Sequence, residues 1–243
     1  MAPASQATES LDALSAEVDR IVSLARSGEL GSPIAHLGRW KVRDVVAHLG
    51  GVHRWATRIV TERSMAGPGF RKSKLDGAEL CDWFQDGAAE LLDTLRSLPA
   101  DEPCPNFNPG SQNTVGWWIR RQLHETTIHR WDIEAGLGEV SPIEPKRAVD
   151  GIDEFLDVFV RTRGKHTLDA TLELATTRPK QMWTLVPAAK PGRSDVTAGA
   201  SDAEAQIGGR PAELLLALWG RKTIGEADLS VSGTADWTSL FRT

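Results

Sequence analysis

The chain has 243 residues, 40% hydrophobic and 25% charged, with a formal net charge of −5, which suits one large soluble domain or two small ones. The acidic balance and the absence of a long basic cluster exclude a nucleic-acid surface, and no apolar run approaches the roughly 20 residues of a membrane span. Two cysteines, Cys81 and Cys104, exclude a disulfide scaffold; with no basic segment and apolar core at the N-terminus, a cytoplasmic location is expected.

The N-terminal half reads as helices. Residues 9–27 carry Leu11, Leu14, Val18, Ile21, Val22 and Ala25 at three- and four-residue steps, the pattern of an amphipathic helix. A Gly/Ser/Pro break follows from Gly28 to Pro33. Residues 42–62 repeat the pattern through Val42, Val45, Val46, Leu49, Val52, Ile59 and Val60. Gly50 and Gly51 interrupt it at roughly 1 kcal/mol each, a cost accepted where a helix or a ligand must come close. Asp76 can cap a third helix over 77–97, with Leu80, Phe84, Ala88, Leu91, Leu92 and Leu95 on one side. A loop with four prolines and a glycine, Pro99 to Gln112, leads to a fourth helix over 114–134. Asn113 or Thr114 would cap it, and Gly136 and Gly138 close it. Short breaks after helices one and two predict adjacent antiparallel neighbours, with a crossover allowed before helix four.

After Pro145 the pattern changes. A fifth helix spans 146–163. From 167 the period becomes two, Leu168, Ala170, Leu172 and Leu174 alternating with Asp169, Thr171 and Glu173, as in a half-buried strand. Further strands are expected at Gln181 to Val186, Asp195 to Ala200, Ala203 to Ile207 and Leu229 to Ser232. A helix over Ala212 to Arg221 starts at Pro211. The expected fold class is α+β: an antiparallel four-helix bundle over 1–143, then a small α+β domain over 144–243.

The candidate chemistry lies in helix four. Glu125 and His129 are four residues apart, which places both on one helical face about a turn apart. If helices two and four pack together, His48 joins them, and His-Glu-His holds a divalent metal with a position left open, as in a catalytic zinc site. An ordinary exposed i,i+4 pair is the competing account of the same spacing. His124 lies about 140° round the helix from His129, so the zincin His-Glu-x-x-His pattern is absent. His53 is likewise five residues from His48 and points elsewhere. Asp44, four before His48, and Asp132, three after His129, are candidates to accept the free imidazole N–H of a metal-bound histidine. With nine Trp and no Tyr, no tyrosyl acid is available.

At these residues the sequence resembles the mycothiol-dependent maleylpyruvate isomerase family, within the DinB-like metal-binding helical bundles. The resemblance rests on three segments: Trp40 to Leu49, similar to the family's Trp-x-Val-x-Asp-Val-x-x-His-Leu; Arg120 to Asp132; and Ala212 to Arg221, similar to the end of the small domain that often follows the bundle. It implies that His48, Glu125 and His129 hold the metal, Zn2+ first, and that Arg221 faces the metal cleft as a catalytic group. It implies mycothiol as thiol cosubstrate: the metal-bound thiolate adds to an electrophilic small molecule, and the adduct is isomerised or released as a conjugate. Arg221, Arg120 or Arg121 would pair with an oxyanion, and the cleft between the domains is the expected location. A zinc hydrolase and a non-catalytic metal- or ligand-binding bundle are the alternatives.

Overall fold

In the computed structural model, residues 3–108, 110–161, 168–188, 194–200, 202–234 and 240 are described. The chain divides into two units, Met1–Ser141 and Pro142–Thr243. The first unit holds α1 (Pro3–Ser27), α2 (Val42–Glu62), α3 (Gly77–Arg96) and α4 (Val115–Leu137). The apolar stripes of these helices form its core, with Leu14, Ile21, Leu49, Ile59, Phe84, Leu91 and Trp118 fully buried. The caps are side-chain oxygens: Asp76 accepts from the Gly77 amide, and Thr114 accepts from that of Trp117. Gly138, with φ 80°, ends α4 in the left-handed conformation. Gly136 lies inside α4, so only Gly138 closes that helix. α1 begins at Pro3 rather than at residue 9, because proline is tolerated in a first turn and nothing from Ala4 to Thr8 breaks the helix.

The arrangement of the helices departs from the expected one. α1 packs on α3 and α4, and α2 packs on the same two, so α1 and α2 lie diagonally opposite with little contact. The linker between them, 28–41, is longer than its glycines and proline suggest. It contains a 3-10 turn at Ala35–Leu37 and a bridge between Pro33 and Lys41, enough chain to cross the bundle.

α4 is buried almost throughout, from Val115 to Glu134, although it carries many polar residues. Its C-terminal half resolves this by ion pairing. Arg130 donates from Nε to Glu17 Oε2 (2.7 Å) and from Nη1 to Glu134 Oε2 (2.6 Å), and Arg20 of α1 donates to Glu134 Oε1 (2.9 Å). Removing one partner of such a buried set leaves an uncompensated charge, worth about 3–5 kcal/mol, so this cluster fixes α4 against α1.

The second unit begins with α5 (Pro145–Phe155), which widens into a π-helical turn at Leu156–Val160. Five strands follow in the order β3-β2-β1-β4-β5: β1 (Leu172–Thr176), β2 (Met182–Pro187), β3 (Ser194–Ala198), β4 (Ala205–Gly209) and β5 (Ser230–Gly233). β1 pairs parallel to β4, and the other pairings are antiparallel. α6 (Pro211–Leu218) follows β4 and begins at Pro211; Gly220, with φ 67°, lies beyond its end. β1 starts five residues later than the alternation predicts, because the Thr171 amide is taken by Glu204 Oε2 and the ladder opens at Leu172. Glu173 is not on a solvated face. β1 is a central strand, and Glu173 is buried, accepting a hydrogen bond from Gln206 on β4. The predicted strand residue 167 and the end of the predicted fifth helix, 162–163, lie outside the described residues. The fold class is α+β. Among the described residues no helix is long and apolar enough to cross a membrane.

Candidate metal centre

α2 and α4 pack together and bring three side chains to one point. His48 comes from the middle of α2, Glu125 and His129 from successive turns of α4. Glu125 Oε1 lies 3.4 Å from His48 Nε2 and 3.3 Å from His129 Nε2. One ligand atom from each of the three residues lies within 4.8 Å of the others. Bonds of about 2.05 Å to a tetrahedral zinc ion put neighbouring donors about 3.3 Å apart, so the two measured spacings match the edge such an ion requires. The side chains are 14%, 19% and 10% exposed, so the group is sheltered but reachable. His53 and His124 are buried outside this trio.

The surrounding groups prepare the donors. Arg121, buried one turn before Glu125, donates from Nη2 to Glu125 Oε2 at 2.7 Å. Arg121 is therefore a partner of the carboxylate rather than a group held ready for a substrate oxyanion. Burial alone would raise the Glu125 carboxyl pKa; the hydrogen bonds to His129 and His48 and the charge of Arg121 outweigh it and hold it well below the ordinary range. For His129, burial pulls the pKa down, but Asp132 and Glu125 outweigh it and the pKa is raised.

Asp132 is fully buried. It receives His129 Nδ1 on Oδ2 at 2.9 Å and His36 Nε2 on Oδ1 at 2.7 Å. With Nδ1–H of His129 fixed on a carboxylate, Nε2 is the nitrogen that faces Glu125 and His48, and in the neutral ring it is the one free to bind a metal. His36 sits in the 28–41 linker against the ring of Trp131 (5.2 Å), and nothing in the local sequence marks it. Asp44 does not do for His48 what Asp132 does for His129. Its Oδ2 accepts the backbone N–H of Lys41 at 3.0 Å, capping α2. Nδ1 of His48 is buried with no hydrogen-bond partner among the described residues.

The two glycines after His48 shape the wall of the centre. A Cβ on Gly50 would meet the Trp83 ring of α3 at 2.4 Å, and one on Gly51 would meet the Arg71 carbonyl oxygen at 2.2 Å. Gly51 thus lets the 63–76 linker lie against α2. That contact carries Phe70 edge-on to the His48 ring, centroids 4.9 Å apart, while Trp40 flanks the same ring at 5.4 Å. Phe70 remains 45% exposed.

Family models match both units: the mycothiol maleylpyruvate isomerase N-terminal domain over residues 11–134 and the MDMPI C-terminal domain over 147–240. The chain belongs to the mycothiol maleylpyruvate isomerase family. Among solved structures it is similar to the mycothiol-dependent maleylpyruvate isomerase, with a TM-score of 0.66 and 14% identity over 93% of this chain and 92% of that one. A histidine-to-alanine mutant of that isomerase aligns with a TM-score of 0.67 at the same identity and coverage. At 14% identity this likeness carries the fold of the family. No curated protein matches the chain.

Arg221, the late arginine expected from the resemblance, is half-buried in the second unit, past the end of α6. Its Nη1 donates to the Trp219 carbonyl oxygen at 2.7 Å, and its guanidinium carbon lies 5.8 Å from the Trp219 ring centroid.

Proposed function

We propose that this protein is a metal-dependent, mycothiol-using enzyme of the maleylpyruvate isomerase type, with His48, Glu125 and His129 as ligands to one divalent ion, zinc by its donor set. The observation that carries the proposal is the convergence of three donors, with Glu125 Oε1 at tetrahedral-edge spacing from His48 Nε2 and from His129 Nε2, and one ligand atom of each residue within 4.8 Å of the others. When bound, the metal lowers the pKa of a thiol at its open position and so supplies a thiolate nucleophile at neutral pH.

The chain's own groups do the rest. Asp132 keeps the His129 proton on Nδ1. Arg121 keeps Glu125 ionised and offsets its charge. A divalent ion with Glu125, Arg121 and Asp132 leaves one net positive charge in a sheltered site, which favours an anionic fourth ligand. Phe70 and Trp40 flank the His48 ring edge-on and restrict its movement. The thiolate would add to an activated carbon–carbon double bond; the adduct would rotate about the former double bond and expel the thiolate to give an isomer, or take up a proton and leave as a thiol conjugate. By family resemblance, Arg221 pairs with an anionic substrate group.

The test is metal content of the purified protein, followed by titration with mycothiol. The expected result is about one metal per chain, lost in folded His48→Ala and His129→Ala proteins, with mycothiol binding only in the metal form. Full metal occupancy in His129→Ala removes that residue from the centre, and thiol binding to metal-free protein overturns the proposal.

A further inference from the structure

α4 carries a buried polar side chain that the fold does not use. Gln122 is 1% exposed, and its Oε1 has no hydrogen-bond partner. At about 100° per residue, Gln122 falls between His129 and Thr126 around the helix. Both of those meet α2: the His129 ring centroid lies 5.0 Å from that of His48, and Thr126 Oγ1 lies 3.0 Å from His53 Nε2. Gln122 therefore stands on the face of α4 turned to α2, one turn from Glu125. A further turn along is Trp118, whose ring centroid lies 5.4 Å from that of Trp55 on α2. Along this stripe come the two metal donors, then an amide, then an aromatic wall. Buried amides in folded proteins are almost always paired, and one left unpaired beside a reactive centre is accounted for when a ligand or a water meets it.

We propose that Gln122 reads the amide next to the sulfur of a cysteine-derived thiol, and so determines which thiol the centre accepts. This rests on the thiol-enzyme reading above. In such a thiol the amide nitrogen and the carbonyl carbon sit on the carbon adjacent to the one bearing sulfur. With the sulfur at the donor trio, these groups lie about 3–4 Å from it by ordinary bond lengths, and the Gln122 side chain covers the remainder of the one turn that separates Gln122 from Glu125. A carboxamide both donates and accepts, and the Gln122 side chain offers the complementary pair. A thiol lacking the amide leaves Gln122 unpaired.

The test compares two probes, N-acetyl-L-cysteine N-methylamide and 2-mercaptoethanol, titrated into cobalt-loaded wild type and Gln122→Met, with binding read from the cobalt absorption. The preference for the amide thiol over 2-mercaptoethanol falls about tenfold in Gln122→Met, the loss expected for one buried hydrogen bond. Differences in thiol acidity cancel in this ratio. The melting temperature of metal-free Gln122→Met is no lower than that of wild type, since an unpaired polar group has been replaced by an apolar one of similar shape. An unchanged preference overturns the proposal, and so does a clear drop in melting temperature, which places the amide in the fold. If the metal-loaded wild type binds neither thiol, the thiol-enzyme reading itself fails.

Discussion

Asp132→Asn isolates the group that orients His129. The aspartate is fully buried and serves two imidazoles, His129 Nδ1 at 2.9 Å and His36 Nε2 at 2.7 Å. Asparagine keeps the size but replaces one acceptor with an NH2 donor. One imidazole N–H then faces a donor, and its ring escapes by moving the proton to the other nitrogen. For His129 that nitrogen is Nε2, which with a proton is no longer a ligand. Partners of this kind are typically worth 10–100-fold in metal affinity, or about 1.4–2.8 kcal/mol. If the amide oxygen instead stays on His129, His36 takes the mismatch and the loss falls at the low end. Zinc affinity is read by competition with a chromophoric chelator, with metal-free melting temperature recorded in parallel. His36→Ala, alone and with Asp132→Asn, completes a cycle in which the double variant loses less than the sum of the two singles, since both act through one carboxylate. Zinc affinity of folded Asp132→Asn within twofold of wild type would refute this account of Asp132.

His53 is fully buried, and burial drives its pKa from 6.5 down to about 3. Its folded pKa lies below the unfolded one, so the unfolded chain binds more protons between these values. Stability from the neutral ring is complete above about pH 6.5 and is lost as pH falls toward 3, by about 2 kcal/mol at pH 5. Urea unfolding at pH 7 and pH 5 should show His53→Gln losing less than wild type by about that amount; equal losses would discard the buried neutral imidazole as the cause. Gly51→Ala gains about 1 kcal/mol of helix propensity but places a Cβ 2.2 Å from the Arg71 carbonyl oxygen. Backbone cannot swing aside as a flexible side chain can, so the variant is expected to be less stable by about 1–3 kcal/mol. Denaturant titration checks this, and a variant as stable as wild type would show that the 63–76 linker is not seated on Gly51.

What could be read in the sequence follows from range. Helix periodicity and caps are local, and Asp76, Thr114, Gly138 and Pro211 end or begin elements where their chemistry suggests. The i,i+4 spacing that joins Glu125 to His129 also joins Arg121 to Glu125, so that pair was legible as a face of α4. Strand alternation misled at Glu173, because a strand flanked on both edges and covered on both faces loses the period that marks a half-solvated one.

The partners that lie far along the chain carried no local signal. His36 reaches Asp132 across 96 residues, and Phe70 reaches His48 from a linker that Gly67 to Gly69 mark only as a break, with nothing to say that it lies against Gly51. Asp44 and Asp132 were indistinguishable by spacing, each a turn from a histidine. Asp44 lies in the first turn of α2, where a free backbone N–H competes for its carboxylate. Asp132 lies deep in α4, where backbone donors are already paired within the helix and only side chains remain to meet it. Position within a helix therefore decides which carboxylate can orient a histidine: one in the first turn is drawn to the exposed amides, and one in the interior is left for the imidazole.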